Sequence, residues 1–402
     1  MRTRLEENQG ISTLLLWLIT ITTGLSVANL YYSQPLLELI RQDLNVSVVE
    51  VNNISICSQL GYALGLFFII PLGDMVNRRL IILLNFGILA FSLLFVAFSP
   101  SIGLILVASL ITGLCSVTPQ LFLPLVSQFS EPKNKSRNMG IVLSGLLVGI
   151  LLSRVLSGVI GGFWGWRSMY YIAAFIMIVC FALLYRFFPV VLPSFKGRYR
   201  DLMGSMILIV QEEPKLRFAS VKAGFAFGSF LTLWAMLSFK MAQEPFYAGG
   251  AIVGLLGLCG VSGAMIASVL GKYTDRIGPF RMNLLGEILM ISGWSCLYFF
   301  QASYLGIILG IIVLDMGMQS IQLGNQTAVL KLRPSAASRL NTIFMTTFFV
   351  GGTLATVLAG FCWRAWGWTG VVSVGFVFIL ISFVLNSYQN RAVFKKSKPF
   401  NQ

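Results

Sequence analysis

The chain is dominated by stretches of about 20 consecutive apolar residues, the length with which an α-helix crosses a membrane. Twelve such stretches lie along the 402 residues. In chain order they cover residues 14–36, 51–72, 80–98, 102–126, 139–161, 169–189, 218–238, 250–270, 282–300, 304–328, 341–362 and 369–385. Because lipid offers the backbone no hydrogen bonds, each stretch is predicted to be a helix. The sequence therefore predicts an all-α membrane protein with twelve transmembrane helices.

Composition excludes the soluble classes. The chain is 56% hydrophobic and 11% charged, whereas ordinary soluble domains are about 25% charged. It contains no histidine, and no nucleotide-binding loop or nucleophile–base set is visible. The six cysteines lie inside apolar stretches, where they are typical of small core residues. We therefore expect neither an enzyme nor a bound cofactor nor a metal site.

The distribution of Lys and Arg predicts the orientation. With twelve spans, 24 of the 29 basic residues fall on the side that carries both termini, four fall on the other side, and Arg154 lies within a span. Basic loops are cytoplasmic by the positive-inside rule. Both termini are thus predicted to be cytoplasmic, in a bacterial inner membrane. Since topology accounts for the net charge of +15, we expect no nucleic-acid partner.

The two halves of the sequence repeat. At a shift of 202 residues Gly149 matches Gly351, and the Trp-Gly-Trp run at 164–166 matches 366–368. The same shift relates Ser136-Arg137 to Ser338-Arg339. Parallel repeats of this kind are typical of membrane carriers. We predict an N-terminal six-helix bundle at 1–189, a cytoplasmic linker at 190–217 and a C-terminal six-helix bundle at 218–402, with a central cavity.

The linker contains one segment with an apolar face and charged ends, from Tyr199 to Glu213. This pattern favours a short amphipathic helix at the membrane interface. A linker without regular structure is the alternative.

Two short loops carry a recognisable motif at half-length spacing. The loop after span eight reads Gly271-Lys-Tyr-Thr-Asp275-Arg276-Ile-Gly278, and the loop after span two holds Gly73-Asp74 followed by Arg78-Arg79. They resemble the G-x-x-x-D-R-x-G loops of the major facilitator superfamily. The run Val27-Ala-Asn29-Leu-Tyr-Tyr32-Ser-Gln34-Pro35 is similar to the drug- and sugar-efflux branch of that family. The resemblance implies a secondary transporter that works by alternating access.

In that family the loops act as a cytoplasmic latch, and the resemblance assigns this role to matching residues here. They are Gly73, Asp74, Arg78 and Arg79 in the first loop and Gly271, Asp275, Arg276 and Gly278 in the second. The alternative is that these charges only set topology.

The chain departs from the family pattern at three places. In the first loop Ile70, Met75 and Asn77 stand where the family usually has Gly, Arg and Gly. Proton-coupled efflux members commonly have an Arg before a Gly in span four, where this chain has Thr112-Gly113. Span five keeps Gly145 and Gly149 of the antiporter G-x-x-x-G-P run, but Ile150 replaces the Pro.

Asp315 is the leading candidate for coupling. It lies near the middle of span ten, about 16 Å deep at 1.5 Å per residue, and ionisable groups at that depth are rare and usually functional. Gln319, Gln322 and Gln326 follow on the same helix face. We expect this face to bind substrate or a proton, with a structural hydrogen-bonded carboxyl as the alternative.

Two further charged residues lie inside spans. Arg154 in span five either extends toward the outer interface or pairs with Asp315 or an anionic substrate. Glu287 in span nine is six residues from Arg281, so local pairing is favoured over a role in transport.

Polar groups elsewhere in the spans are candidate substrate contacts. Asn29 in span one and Gln120 in span four are included among them. Tyr31 and Tyr32 are slightly better explained as an interfacial aromatic belt, and the Trp-rich outer elements as interface anchors.

Taken together, the sequence predicts proton-coupled efflux of a small drug-like or sugar-like compound by a monomer in the lipid bilayer. Proton symport or facilitated uptake is one alternative. A membrane sensor that kept the fold without transporting is the other.

Overall fold

The computed structural model of the chain describes residues 7–191, 197–271, 273–333 and 336–396. Within these ranges the side chains at 264, 268, 271, 274, 275 and 390–396 are outside the description.

Helices account for the regular structure of the described ranges. In chain order they are α1 Thr13–Ala28, α2 Leu37–Leu44, α3 Val48–Met75, α4 Arg78–Phe98, α5 Ile102–Cys115, α6 Pro119–Phe129, α7 Lys135–Trp164, α8 Trp166–Phe187, α9 Tyr199–Glu212, α10 Pro214–Ala242, α11 Gly250–Leu256, α12 Val261–Gly271, α13 Thr274–Ile277, α14 Pro279–Phe299, α15 Tyr304–Leu330 and α16 Ala337–Lys396. The prediction of an all-α membrane protein is confirmed.

Ten helical stretches in the described ranges are long and apolar enough to cross a membrane. One of them, α16, contains Gly367 with non-helical angles (φ 57°, ψ −140°) and joins two helices there. The first predicted span is represented by the 16-residue α1. These observations are consistent with twelve spans.

Helix boundaries follow local sequence signals. Ser47 and Glu50 form a reciprocal capping box at the start of α3, which satisfies two of the backbone N–H groups that a helix leaves free. Pro119 and Pro279 occupy the first position of α6 and α14, where the missing N–H costs nothing. Span four is interrupted between α5 and α6, at residues 116–118. The predicted amphipathic helix of the linker is present as α9.

The chain packs as two compact units. The first comprises Met1–Ser205, Leu237–Gln243 and Tyr247–Leu258, and the second comprises Met206–Met236, Glu244–Phe246 and Cys259–Gln402. The division into bundles 1–189 and 218–402 joined by 190–217 stays a prediction.

A glycine contact brings two helices together inside each unit. In the first unit a Cβ on Gly149 would lie 2.2 Å from the Gly24 carbonyl oxygen, and in the second a Cβ on Gly351 would lie 2.3 Å from the Gly224 carbonyl oxygen. Neither site can hold a side chain unless the helices separate, so both crossings depend on glycine. The sequence repeat is thereby visible as a packing repeat.

Candidate functional site

Arg154 of α7 is the central charged residue of the first unit. Its side chain is buried, with 2% of the residue exposed, and its Nε donates a hydrogen bond to Gln34 Oε1 at 2.8 Å. The guanidinium carbon lies 4.9 Å from the centre of the Tyr31 ring, within the range of a cation–π contact. The interpretation of Arg154 as extending to the interface is wrong, because the surrounding helices cover it. Its pairing with Asp315 or with substrate stays a prediction.

Tyr31 and Tyr32 are buried as well, with 9% and 2% of each residue exposed. The aromatic-belt interpretation of this pair is therefore wrong, since belt residues lie at the lipid–water boundary.

Tyr62 of α3 is a site residue that our sequence analysis missed. It is buried and hydrogen-bonds to Gln120, which follows Pro119 at the start of α6. A signal for it was available. Asn52, Ser55, Gln59 and Tyr62 are spaced at three or four residues and are all buried, and a polar face on a membrane helix points into the bundle.

Asn29 has a different environment from the one predicted. Its Nδ2 donates to the carbonyl oxygens of Leu25 and Ser26 and lies 3.5 Å from Met177 Sδ on α8. Asn29 therefore stabilises the end of α1 and its packing on α8. A substrate contact by this residue stays a prediction.

Asp315 is a buried carboxyl of the second unit, with 5% of the residue exposed. It lies on the side of α15 that packs against α12, because a Cβ on Gly263 would be 3.2 Å from Asp315 Cβ and 3.0 Å from Gln319 Cγ. The polar stripe of α15 does not share one environment. Gln322 is half-buried, and Gln326 donates to Asn341 Oδ1 of α16 at 2.9 Å.

Asn283 and Asn325 form a buried amide pair that sequence analysis missed. Each donates to the other's Oδ1, at 3.2 and 2.6 Å. The pair joins α14 to α15. A lone Asn in each span gave no sequence signal, because the two are 42 residues apart.

Glu287 of α14 belongs to a buried polar cluster. It is 0% exposed and accepts hydrogen bonds from Ser382 Oγ at 2.9 Å and Asn386 Nδ2 at 3.1 Å. Asn386 Oδ1 in turn accepts from Lys222 Nζ at 3.1 Å. The prediction that Glu287 pairs locally with Arg281 is wrong, because its partners come from the last helix and, through Asn386, from α10.

The first motif loop is closely bonded. Arg78 forms an ion pair with Asp74 at 3.1 Å, donates to the Gly73 carbonyl oxygen and also donates to Gln128 Oε1 of α6. Arg79 donates to the carbonyl oxygen of Tyr185 on α8. The loop thus ties together the ends of several helices of the first unit. Its latch role stays a prediction.

The second motif loop lies only partly within the description. The surroundings of Gly271 and the side chain of Asp275 are outside the described residues. Arg276 is exposed in the short helix α13, and Gly278 caps α14 with a φ of +77°, a value that favours glycine. The latch role of this loop also stays a prediction.

An ion pair at the linker adds a contact that the sequence did not indicate. Arg333 Nη1 lies 2.9 Å from Glu212 and its Nε lies 2.7 Å from Glu213. The hydrogen bonds to Glu212, and then to Glu213, raise the pKa of the Arg333 guanidinium. The linker and the loop after α15 are thereby joined within the second unit.

The Trp-rich outer elements divide into two groups. Trp164 and Trp366 are 70% and 69% exposed, as expected for anchors. Trp166 and Trp368 are buried and donate to Asp43 Oδ2 and to the Leu297 carbonyl oxygen, both at 3.0 Å. The anchor interpretation is wrong for these two, because they fix loops and helix ends.

Comparison with known proteins gives a consistent result. The family model described as Major Facilitator Superfamily matches residues 16–337. The uncharacterized transporter YgaY of Escherichia coli O157:H7 is 33% identical over 380 residues, covering 94% of this chain and 96% of the relative. The probable transporter SCO4007 of Streptomyces coelicolor is 29% identical, covering 92% and 86%.

A solved structure shares the fold. A bacterial homolog of the human lysosomal transporter Spinster, crystallised in an inward-facing and unoccupied conformation, superimposes with a TM-score of 0.79 at 14% identity. The match covers 96% of this chain and 98% of that one. Twelve apolar stretches, a packing repeat and these matches together identify the chain as a membrane transporter that belongs to the major facilitator superfamily.

Proposed function

We propose that this transporter drives the efflux of a small drug-like or sugar-like compound across the bacterial inner membrane by exchange with protons. The observation that supports this proposal most strongly is the burial of Asp315, a carboxyl that is 5% exposed in the middle of α15. A carboxylate is costly to hold in a membrane interior. Exchange of a proton at this group would therefore change the relative stability of the two access states.

The polar cluster around Arg154 supplies substrate contacts in this proposal. Arg154, Gln34 and Tyr31 lie within hydrogen-bond or cation–π range of one another, and Gln120 bonds to Tyr62. A buried arginine with amide and phenol groups suits a compound with several hydrogen-bonding atoms. In the same proposal the Asp74 and Asp275 loops act as the cytoplasmic latch.

Uptake by proton symport or facilitation is the first alternative, and the family fold accommodates either direction. A non-transporting sensor is the second, and one observation favours it. At the position where related efflux carriers place an arginine, Thr112 forms a hydroxyl pair with Ser92 at 2.9 Å. That contact joins two helices and offers no charge for coupling.

The test uses purified protein in sealed liposomes that contain a pH-sensitive dye, screened with a panel of drugs and sugars. Substrate-triggered proton movement is expected, and its sign separates antiport from symport. Asp315→Asn should abolish gradient-driven flux while folded protein is retained. Asp43→Asn, which changes a carboxyl outside the spans, is the matched control. Normal flux in Asp315→Asn would refute its coupling role.

A further inference from the structure

A cavity of about 670 Å³ lies between α1 and α7 in the first unit. Drug-sized ligands occupy cavities of about 300–1,000 Å³ whose walls are mostly apolar, with a few polar groups. The walls here are mostly apolar, and the cavity is an open one, because Trp17, Ile21 and Val148 in its walls are each about half exposed. The walls are formed mainly by α1 and α7 and include Trp17, Ile21, Tyr32, Arg137, Gly140 and Val148.

The shape of the cavity follows from glycines on both helices. Gly24 contacts Gly145 and Gly149 so closely that none of the three can carry a side chain. Gly140, farther along the wall, has no atom within 4 Å of the place where a Cβ would lie. The first three glycines hold the helices together, whereas Gly140 leaves open space beside the crossing.

Two polar groups, Arg137 and Tyr32, lie toward opposite ends of this mostly apolar cavity. Arg137, near the start of α7, is exposed and forms neither an ion pair nor a hydrogen bond with a side chain in the described ranges. At the other end Tyr32 is 2% exposed, lines the cavity, and its hydroxyl makes no hydrogen bond to any described residue. Ser153 lines the Tyr32 end, and it is 16 residues from Arg137, so the cavity runs about 24 Å along α7.

We propose that this cavity binds an elongated amphipathic organic anion. Its carboxylate or sulfonate contacts Arg137, its apolar body lies against Trp17, Ile21 and Val148, and a hydrogen-bond acceptor at its far end meets the Tyr32 hydroxyl. A charge at one end and a phenol at the other select for length as well as for polarity. The inference goes beyond the proposed function, because the residues given substrate contacts there, Arg154, Gln34, Tyr31, Gln120 and Tyr62, do not line this cavity.

The binding test uses 11-(dansylamino)undecanoic acid, which combines a carboxylate, an alkyl chain and a sulfonamide acceptor. Energy transfer from Trp17 to the dansyl group reports occupancy at equilibrium in detergent, and Trp17→Phe identifies that part of the signal. Gly140→Leu should weaken binding by about tenfold or more, because the leucine fills the cavity. Gly103→Leu is the matched control, since Gly103 also has open space around it but lies on α5.

The charge is tested separately. Arg137→Gln should weaken binding of the acid by about tenfold, as expected for loss of a charge-assisted hydrogen bond. Binding of the uncharged methyl ester should change by less than about twofold. Equal losses for acid and ester would overturn the assignment of Arg137 to the anionic group.

Three results would overturn the proposal as a whole. One is unchanged binding in Gly140→Leu with normal thermal unfolding, and another is an equal loss in Gly103→Leu. The third is a phospholipid that copurifies one to one, excludes the probe and is lost in Gly140→Leu, because the cavity would then be a lipid site. Since binding is measured without a gradient, it can succeed even if proton-coupled transport fails, and the two proposals are separable.

Discussion

The two units share a glycine crossing but surround it differently. In the first unit α1 meets α7 at Gly24 and Gly149, and in the second α10 meets α16 at Gly224 and Gly351. At the first crossing a Cβ on Gly24 would be 2.5 Å from the Gly145 carbonyl oxygen. At the second a Cβ on Gly224 would be 3.0 Å from the Thr347 carbonyl oxygen. The first pair of helices is therefore closer.

The residues beside the two crossings differ as well, and the second crossing has the larger side chains. By the sequence repeat, Thr342 and Thr347 stand in the second unit where the first has Gly140 and Gly145. Aromatic rings also pack beside the second crossing, where Phe227 of α10 stacks on Phe348 of α16 with their ring centres 3.9 Å apart. The first crossing borders a 670 Å³ cavity. The comparison shows that backbone approach fixes the shared glycines, while the positions around them can serve either packing or binding.

The largest effect is expected at the buried charges of the second unit. Counted from the matched glycines Gly24 and Gly224, Lys222 on α10 corresponds to Thr22 on α1. The Thr22 hydroxyl donates a hydrogen bond to a carbonyl oxygen of its own helix. Lys222→Met or Glu287→Gln should each lower the free energy of unfolding by about 3–5 kcal/mol, because a buried charge loses its compensation. The double variant should recover most of that loss. Chemical unfolding in detergent measures this cycle, and additive losses would show that the two charges do not interact.

The contribution of the aromatic packing at the second crossing can be measured at Phe227. Phe227→Ala should lower the free energy of unfolding by about 3–4 kcal/mol, because it leaves a cavity between α10 and α16. Val27→Ala, at the matching position of α1, should cost less because it removes two methyl groups instead of a phenyl ring. The same unfolding assay ranks the two variants, and a larger loss in Val27→Ala would contradict the proposed difference between the crossings.

Alanine at the shared glycines should have an intermediate effect. Gly149→Ala and Gly351→Ala should each cost about 1–3 kcal/mol, because the added methyl meets a carbonyl oxygen and the helices must separate. Gly140→Ala serves as the control and should be neutral or stabilising by up to about 1 kcal/mol. Thermal melts of the three variants provide the measurement. A loss in Gly140→Ala equal to the other two would mean that the open space beside Gly140 is absent.

The smallest effect concerns matching tryptophans at the turn before the last helix of each repeat. Trp166 bonds to the Asp43 carboxylate, whereas Trp368 bonds to a backbone carbonyl. The hydrogen bonds from Arg167 and then from Trp166 lower the pKa of Asp43 below its ordinary value of 3.8. A carboxyl with a lowered folded-state pKa stabilises the protein above its ordinary pKa, and this contribution disappears as the pH falls below about 4.

Because Asp43 is about half exposed, its contribution should stay below about 1 kcal/mol. Unfolding measured between pH 7 and pH 3 should therefore lose a small increment that Asp43→Asn removes. Trp368→Phe should reduce stability equally at both pH values. A pH-dependent loss of stability in Trp368→Phe would contradict the proposed difference between Trp166 and Trp368.

Much of the fold could be predicted from the sequence because lipid imposes simple rules. Runs of about 20 apolar residues must be helical, and the amphipathic pattern of residues 199–213 correctly indicated α9. The repeat was visible because glycines at helix crossings and the turns at Gly165 and Gly367, both with positive φ, tolerate few substitutions. Asp315 and Arg154 could be found as charges inside spans, since such charges are rare.

What the sequence could not supply was the partner of each polar side chain. Glu287 and Asn386 are 99 residues apart, and Arg154 and Gln34 are 120 apart, so no local pattern links them. The tertiary structure decided that Tyr31 and Tyr32 are buried, that Glu287 bonds to the last helix and that a cavity opens beside Gly140. Hydrophobicity and chain length determine which segments cross the membrane. Only the packing of those segments determines which few polar atoms meet, because each contact depends on the angle and distance between helices far apart in the chain.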